Sequence, residues 1–372
     1  MTALAFFCIA VIVYTYVGYP VVVATWARLA PRRFQESTSY EPTVSICIAV
    51  YNGERFIASK LRSLQALDYP EDKLEILICS DGSTDDTERI VREFAWQDPR
   101  IGFLSTGGRV GKPSALNVLS SVARGEVLVM CDVRQPLAAD ALRGLLPPLA
   151  DSDVGCVSGN LMLAGNTGAG AYWRYEKLIR GSEARLGSLV GVSGSLYAVR
   201  RTEMPRLPIG VLLDDMFVPL SIARAGRKSV VFSEQARVFD EACDDDREFH
   251  RKVRTLAGNF QLVALMPWLL VPRTNPMWVQ LVSHKLLRLA CPWALVALLL
   301  TSLSLAFRTD LPLTQLLFWR TLAIGQVALY AAAAAGARVG RLGSLARTFA
   351  VLNAAAMAGL YRFVSNSQRV TW

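Results

Sequence analysis

Long stretches without a charged side chain divide this sequence into apolar ends and a charged middle. The first 27 residues carry no charge, and the same is true of 289–307, 311–319 and 321–337. A helix needs roughly 20 apolar residues to cross a bilayer core of about 30 Å. The sequence therefore predicts four membrane helices, near residues 3–27, 289–307, 314–336 and 344–363.

Basic residues flank these segments and set the expected orientation. They follow the first apolar segment directly at Arg28 and recur between the third and fourth, at Arg338, Arg341 and Arg347. Short loops rich in lysine and arginine stay in the cytoplasm. We therefore expect a multi-pass protein of the cell inner membrane, with both chain ends outside and the middle in the cytoplasm. Because nothing basic precedes Arg28, the first segment is expected to be an anchor, with a cleaved signal peptide as the alternative.

Four parts of the chain follow from these patterns. Residues 1–30 are expected to form an N-terminal membrane anchor, and residues 43–240 a cytosolic domain. Between 241 and 275, a basic run precedes the apolar LVALMPWLL, which is typical of amphipathic helices at a membrane surface. Residues 276–364 are expected to form a C-terminal transmembrane bundle.

The formal charge of +9 and the few histidines limit the classes of function. The charge lies outside the apolar segments and suits an anionic membrane surface, an anionic substrate or both. We expect no nucleic-acid partner, because no aromatic and basic motif of the known binding modules is present. With only two histidines, a histidine-rich metal site is excluded. The seven cysteines are scattered singly, which favours a reduced cytosolic domain.

Short apolar runs alternate with segments of helical period in the middle of the chain. Strands are predicted at 43–51, 74–80, 126–132, 154–159 and 192–199. Helices are predicted at 54–66, 84–96, 113–123 and 138–149. Continuous valine, isoleucine and leucine runs that alternate with helices indicate a parallel sheet covered on both faces. Ligands of such sheets bind beyond the carboxyl ends of the strands.

A further amphipathic helix is expected at 170–187. It carries Tyr172, Trp173 and Tyr175, and aromatic residues at this spacing are more typical of a core or an interface than of a platform for a sugar. The sequence therefore assigns this helix no catalytic role.

Polar residues follow three of the predicted strands. Tyr51 and Glu54 follow the first, Asp81 begins the segment DGSTDD after the second, and Asp132 ends the third. A turn and the N-terminus of a helix explain the later residues of DGSTDD. They leave Asp81 unexplained, because a carboxylate at the end of a strand has no role in the turn.

The order of these motifs resembles the family 2 glycosyltransferases, and in particular the membrane-embedded cellulose, hyaluronan and poly-N-acetylglucosamine synthases. The resemblance runs through VSICIAVYNGE, DGSTDDT, GKPSALN, the Asp132 strand, SGSLYAVRR and LLDD. It implies an α/β fold with a Rossmann-like nucleotide-sugar-binding domain of the GT-A type, one N-terminal transmembrane helix and about three C-terminal ones. It also implies a UDP-sugar donor and a divalent cation, Mg²⁺ or Mn²⁺.

Roles on the donor side follow from this resemblance motif by motif. Tyr51, Glu54 and Asp81 would hold the uracil and the ribose. Lys112 of GKPSALN would lie near the base or the diphosphate. Asp132 corresponds to the first aspartate of the family's D-x-D element and would bind the metal.

The acceptor side rests on the segment LLDD. By the same resemblance, SGSLYAVRR would face the acceptor sugar, and Asp214 and Asp215 replace the family's acidic pair, whose second member is the general base. The chemistry agrees, because an inverting transfer needs a carboxylate within about 3 Å of the attacking hydroxyl. Repulsion between two adjacent acids would also raise the pKa of one of them. A helix cap at Asp214 is the alternative role, and it is compatible with a base at Asp215.

Two elements depart from the family pattern. The Q-x-x-R-W element of the synthases is reduced to Arg254, without its glutamine and tryptophan, which argues against processive polymerisation. Arg134 stands two residues after Asp132, where a second carboxylate is expected. Three roles stay open for Arg134: assistance to a metal held by Asp132, direct counter-charge to the phosphates, or an ion pair with a surface acid.

The sequence thus predicts an inverting glycosyltransferase that extends a polysaccharide or a lipid-linked glycan. Its expected partners are a UDP-sugar, a glycan or lipid-linked acceptor, membrane lipids and subunits of a polysaccharide-export complex. N-acetylglucosamine or glucose is implied by the resemblance alone. One alternative is transfer to a polyprenyl phosphate, which the basic segment 247–254 would suit. Another is an inactive subunit of a secretion complex, although Asp81, Asp132 and Asp215 are retained.

Overall fold

A seven-stranded mixed sheet lies at the centre of the soluble part. The computed structural model describes residues 1–164, 169–241 and 245–368, and the side chains of 163–173 and 241–248 lie outside this description. The described strands are β1 Val44–Val50, β2 Leu74–Ser80, β3 Ile101–Ser105, β4 Val127–Met130, β5 Val154–Ala164, β6 Tyr197–Arg200 and β7 Ser229–Glu241. Their order across the sheet is β3-β2-β1-β4-β6-β5-β7.

Six of these seven described strands run in one direction, so their carboxyl ends share one edge. β1 pairs in parallel with β2 and β4, and β2 pairs in parallel with β3. β6 is antiparallel to β4 and β5, and β5 is parallel to β7. We call the side where β1, β2 and β4 end the carboxyl edge, which is where ligands bind in sheets of this kind.

Helices cover the sheet and form both ends of the chain. In chain order they are α1 Thr2–Val13, α2 Tyr19–Leu29, α3 Glu54–Gln65, α4 Thr87–Gln97, α5 Lys112–Val122, α6 Ala141–Leu145, α7 Ala169–Arg185, α8 Asp214–Gly226, α9 Asp245–Leu265, α10 Trp278–Gln280, α11 Leu287–Ala306, α12 Leu313–Ala335 and α13 Gly340–Val364. The π-helical turns Tyr14–Gly18 and Leu281–Leu286 join α1 to α2 and α10 to α11.

Alternating side chains of β1 point into two hydrophobic cores. Cys47 and Ala49 face the core that contains α5, whereas Ile46 and Ile48 face the core that contains α3. β1 is buried over its whole length. Because side chains alternate across a strand and helices cover both faces, its sequence VSICIAV is apolar on both sides.

The sheet differs from the sequence prediction in the direction of one strand. The strand predicted at 192–199 is confined to Tyr197–Arg200 and is antiparallel to its neighbours. The chain returns to the sheet along the carboxyl edge, where the N–H of Val192 donates to the carbonyl of Asp215 at 2.9 Å. β6 starts from that edge and therefore has to run back across the sheet. The patterns also missed β3 and β7, whose partly exposed residues are not continuously apolar.

Three helical stretches in the described part of the chain are long and apolar enough to cross a membrane. They are Thr2–Leu29, Trp278–Ala306 and Leu313–Val364. The third contains two of the predicted apolar helices, because Gly336 and Gly340, with φ of 58° and 72°, interrupt the helix between α12 and α13. The four predicted apolar segments are thus helical and form three candidate spans.

Helix α9 connects the soluble domain with the C-terminal helices. A Cβ on Gly359 of α13 would lie 2.9 Å from the backbone nitrogen of Ala257, so α13 and α9 touch through their backbones. On another side of α9, a Cβ on Gly258 would lie 2.6 Å from the side chain of Leu213, directly before α8. Helix α9 therefore lies between the start of α8 and α13.

Gly82 and Gly107 provide a matched test of how tightly the loop 106–111 packs on the carboxyl edge. Both have a φ of 71°. A Cβ on Gly82 would lie 2.8 Å from the carbonyl carbon of Gly108, whereas a Cβ on Gly107 would meet no described atom within 4 Å. We expect Gly107→Ala to lower the free energy of unfolding by about 1–2 kcal/mol through the left-handed backbone alone. Gly82→Ala should lower it by about 1–3 kcal/mol more through the overlap.

Denaturant unfolding of the purified protein in neutral detergent measures both losses. Equal losses in the two variants would contradict the close approach of the loop 106–111 to Gly82.

Candidate active site

The carboxyl edge gathers charged side chains that lie far apart in the sequence. Asp132 lies two residues beyond the end of β4, and Lys112 is the first residue of α5. Asp214 and Asp215 are the first two residues of α8. We call these four residues the acidic cluster.

The ammonium group of Lys112 joins two of the acids. Its Nζ lies 2.9 Å from Oδ1 of Asp132 and 3.3 Å from Oδ2 of Asp214. Lys112 starts its helix directly after Gly111, whose φ of 92° turns the chain into α5. Burial lowers the pKa of Lys112, but the nearby carboxylates outweigh burial and raise the pKa above its usual value. Lys112 is therefore a fixed positive charge at the carboxyl edge.

The carboxyl group of Asp215 titrates close to neutral pH. Burial and the neighbouring carboxylate of Asp214 raise its pKa to about 6, although nearby cations act in the opposite direction. A Cβ on Gly194 would lie 3.8 Å from Oδ2 of Asp215 and 3.9 Å from Oδ2 of Asp132. The backbone at Gly194 thus lies beside both carboxylates. A pKa near the working pH suits a general base.

Asp81 holds the loop that follows β3. It is fully buried, and its carboxylate accepts hydrogen bonds from the N–H groups of Val110 at 2.8 Å and Gly111 at 2.9 Å. In the same loop, the guanidinium carbon of Arg109 lies 4.1 Å from the centre of the Tyr51 ring. By holding this loop, Asp81 helps to place Arg109 beside the ring of Tyr51. Direct contacts of Asp81 and Tyr51 with a nucleotide stay a prediction.

Glu54 joins the loop after β1 to the loop after β2. Its Oε2 accepts from the N–H of Asp86 at 3.1 Å, and its own N–H donates to Oδ2 of Asp85 at 3.0 Å. Asn52, with a φ of 48°, accepts from the N–H of Thr84 at 2.8 Å. These bonds make the ends of β1 and β2 one connected surface. A contact of Glu54 with the donor stays a prediction.

Arg134 forms an ion pair with Asp240 near the end of β7. The side chain of Asp240 is 6% exposed and also accepts from Nε2 of Gln135 at 2.9 Å. This arrangement agrees with the third alternative for Arg134, except that the acid is buried instead of lying on the surface. Assistance of Arg134 to a metal or a diphosphate stays a prediction.

A cavity of about 310 Å³ lies between the acidic cluster and the helices at the chain ends. We call it the interfacial cavity. Asp215 lines it from α8, and Tyr16 and Asn353 line it from two of the candidate membrane stretches. Charged side chains of α7, α9, α11 and the turn Leu281–Leu286 contribute to the wall, together with uncharged residues such as Val192 and Met216. The volume is at the lower end of the range of about 300–1,000 Å³ for small-molecule sites.

The basic segment of α9 reaches this cavity through other residues than predicted. Lys252 and Thr255 line it, whereas Arg254 is not among the described lining residues. Arg254 is half-buried on the same helix. The side chains of residues 247 and 248, at the start of the predicted basic segment, lie outside the described part. The predicted role of Arg254 at the diphosphate stays a prediction.

Sequence reasoning missed the charged residues of α7 that line the interfacial cavity. Glu176, Arg180 and Glu183 are four and three residues apart, which places them on one face of the helix. That spacing is visible in the sequence. It does not reveal His284, whose two ring nitrogens each lie 2.8 Å from a carboxylate oxygen, of Glu183 and of Glu176.

The helix expected at 170–187 is present as α7. The hydroxyl of Tyr175 donates to the carbonyl of Tyr16 at 2.9 Å, so this aromatic residue joins α7 to the N-terminal helices. The side chains of Tyr172 and Trp173 lie outside the described part.

The motifs on the carboxyl edge fall within a recognised family. Residues 45–201 match the family model described as Glycosyl transferase family 2. The match starts in β1, ends after β6 and includes Lys112 and Asp132 of the acidic cluster. The domain that these residues form belongs to glycosyltransferase family 2. The family predicted from the motifs is thereby confirmed.

Curated relatives are similar to this chain over only part of their length. The beta-monoglucosyldiacylglycerol synthase of Trichormus variabilis is 32% identical over 146 residues, which cover 38% of this chain and 31% of that protein. The chondroitin synthase of Escherichia coli is 37% identical over 117 residues, which cover 31% of this chain and 17% of that protein. The chain thus spans less than a third of the length of either relative.

A solved structure shares the fold over almost the whole chain. The mannosyltransferase of Pyrobaculum calidifontis, in complex with GDP-Man and Mn²⁺, matches with a TM-score of 0.74 and 23% identity. The match covers 98% of this chain and 100% of that one. The predicted α/β fold of the GT-A type, with apolar helices at both ends, is confirmed.

The pKa of Asp215 gives a test of its predicted role as a general base. Only the deprotonated carboxylate can accept a proton, and its pKa is about 6. We therefore expect kcat/KM to fall about tenfold for each pH unit below about pH 6. Asp215→Asn should lower transfer about 100-fold or more at neutral pH and remove this dependence.

Profiles of kcat/KM against pH for parent and variant measure both effects. Full activity of the parent at about pH 5, or a variant that retains most of its turnover, would place the base elsewhere. Asp214 would then be the next candidate.

Proposed function

We propose that this glycosyltransferase moves a sugar from a UDP-sugar to a glycan or lipid-linked acceptor at the membrane, with inversion at the anomeric carbon. The position of Asp215 carries the proposal. Asp215 belongs to the acidic cluster on the carboxyl edge and also lines the interfacial cavity. A donor bound at the carboxyl edge and an acceptor entering from the membrane side would meet at this carboxylate.

The diphosphate of the donor is proposed to lie beside Lys112 and Asp132. The ammonium of Lys112 is mostly buried, with a side chain that is 17% exposed, so water screens its charge weakly. A fixed positive charge stabilises the negative charge that develops on a leaving diphosphate. Lys112 would therefore stabilise the transition state more than the ground state.

A divalent cation, Mg²⁺ or Mn²⁺, fits this site with Asp132 as its protein ligand. The described residues contain no group of three or more His, Cys, Asp or Glu side chains that could hold a metal by themselves. Mg²⁺ needs only about one or two carboxylates when substrate phosphates supply further oxygens. Asp132 meets that requirement, because its side chain is 35% exposed at the carboxyl edge. The bound cation would neutralise part of the charge on the diphosphate.

Asp215 is proposed to accept the proton of the attacking hydroxyl. Asp214 is bound to Lys112, and Asp215 faces the interfacial cavity. A hydroxyl that approaches from the cavity would attack the anomeric carbon on the face opposite to the diphosphate. A single displacement of this kind inverts the anomeric configuration.

The nucleotide base is proposed to bind near the pair formed by Tyr51 and Arg109. A ring and a guanidinium plane, 4.1 Å apart, offer flat surfaces on which a base can stack. The loop 106–111, which Asp81 holds, would position Arg109 for this contact. UDP is the proposed nucleotide by the resemblance of the motifs.

The soluble domain is proposed to face the cytoplasm from the inner membrane. Arg28 lies at the C-terminal end of the first candidate span. Arg338 lies at the interruption of the third, and Arg341 and Arg347 lie in the first turns of α13 directly after it. Arginines in such positions keep loops in the cytoplasm. Membrane lipids and subunits of a polysaccharide-export complex are the further proposed partners. An inactive subunit is less well supported, because the acidic cluster is assembled at one site.

Removal of divalent cations tests the donor side of the proposal. We expect transfer to stop in excess chelator and to return when Mg²⁺ or Mn²⁺ is added. Asp132→Asn should lower transfer about 100-fold or more, because it removes the proposed metal ligand. The matched control is Asp72→Asn, which changes an exposed aspartate in the turn before β2 and should leave transfer unchanged.

The assay supplies labelled UDP-N-acetylglucosamine, UDP-glucose or GDP-mannose to membranes that contain the protein. Full turnover in chelator would contradict the role of a metal. Transfer from GDP-mannose alone would contradict the UDP donor, and transfer from none of a wide panel of nucleotide sugars would contradict the proposed function.

A further inference from the structure

The interfacial cavity has both cations and carboxylates in its wall. Its described lining includes the cations Arg180, Lys252, Lys285 and Arg288. It also includes three carboxylates, those of Glu176, Glu183 and Asp215. A cation of this wall that has no carboxylate partner would favour an anionic ligand, because a partly buried cation interacts strongly with an opposite charge.

Two of the three carboxylates already have partners within the wall that donate hydrogen bonds or carry positive charge. Glu176 accepts from Arg288 at 2.8 Å and lies 3.4 Å from Nζ of Lys285. Glu183 accepts from the hydroxyl of Tyr19 at 2.6 Å, and His284 lies between the two glutamates. The cations Lys285 and Arg288, both paired with Glu176, supply two positive charges against the two glutamates. This network therefore adds no net negative charge to the cavity.

Arg180 is the cation that this network leaves without a carboxylate. Its guanidinium donates to Oγ of Ser158 at 3.5 Å and to the carbonyl of Gly191 at 3.4 Å, both long hydrogen bonds. No ion pair among the described residues includes Arg180, although its charge acts on the carboxylate of Asp215. The half-buried guanidinium faces the cavity that Asp215 also lines. It has the donors to hold an anion close to the proposed base.

The other walls indicate where such an anion comes from. Tyr16, Leu352, Asn353 and Ala356 belong to candidate membrane stretches and line the same cavity. A group that enters between these helices arrives from the lipid layer. The anion is thus expected on a lipid, with its apolar chain outside the cavity.

We propose that the interfacial cavity binds the phosphate of a membrane lipid and that Arg180 is the residue that selects for it. The proposal rests on the proposed function, in which this lipid carries the acceptor. Arg180 would hold the phosphate, and the reacting group of the acceptor would thereby lie against Asp215. The acceptor class is then a lipid with a phosphate or diphosphate head group, in preference to a neutral lipid.

Binding of three probes to the full-length protein in neutral detergent tests this proposal. The probes are farnesyl phosphate, farnesol with the same apolar chain, and inorganic phosphate, each measured by calorimetry. We expect farnesyl phosphate to bind about tenfold or more tightly than farnesol, because a charge-assisted hydrogen bond is added. Inorganic phosphate should bind more weakly than farnesyl phosphate, since it lacks the apolar chain.

Variants of α7 assign the selectivity to one residue. Arg180→Gln should reduce the preference for farnesyl phosphate about tenfold. Arg180→Lys should reduce it less, because the charge is kept and the planar fork is lost. The matched control, Arg174→Gln, removes the same charge from an exposed position on the same helix and should leave the preference unchanged. Thermal unfolding and UDP binding of each variant verify that the fold and the donor site are intact.

Equal affinity for farnesol and farnesyl phosphate would overturn the phosphate site, as would equal effects of the two glutamine variants. Equal affinity for inorganic phosphate and farnesyl phosphate would overturn the lipid as its source. Failure of the proposed function is distinguishable. In that case no nucleotide sugar would be used with any acceptor, whereas intact sugar transfer together with equal binding of farnesol and farnesyl phosphate would overturn this inference alone.

Discussion

The ammonium group of Lys112 is the interaction on which the candidate active site depends. It bridges Asp132, at the end of a central strand, and Asp214, at the start of α8. Without this cation, three carboxylates would repel one another at the carboxyl edge. With it, Asp132 and Asp214 have an ionic partner, and Asp215 retains a pKa of about 6. The same charge stands where a leaving diphosphate would need one.

The second constraint is the connection of this site to the apolar helices. Glu176 and Glu183 of α7 bind His284 of the turn before α11, and Tyr19 of α2 binds Glu183. Buried polar groups stabilise an arrangement when they are fully paired, and they penalise alternatives strongly. The network therefore fixes the soluble domain relative to the N-terminal and C-terminal helices. It also forms the wall of the cavity through which an acceptor would reach Asp215.

Much of this arrangement could be predicted from the sequence, because it depends on local patterns. The apolar runs of β2 and β4 and the polar residues that follow them placed Asp81 and Asp132 near one edge, and LLDD placed Asp215 at a helix start. Contacts between distant segments could not be predicted. The pairing of Arg134 with Asp240 depends on β7, whose alternating polar residues hide a strand. The place of Arg180 in the cavity depends on how α7 packs against helices more than a hundred residues away.

The central claim is that one carboxylate, Asp215, serves a single displacement between a donor on the carboxyl edge and an acceptor in the interfacial cavity. The anomeric configuration of the first product, measured by nuclear magnetic resonance on material from a short incubation, tests this claim most directly. The account predicts a configuration opposite to that of the nucleotide sugar. A product that retains the donor's configuration would contradict it, because retention requires a second displacement or attack from the side of the leaving group.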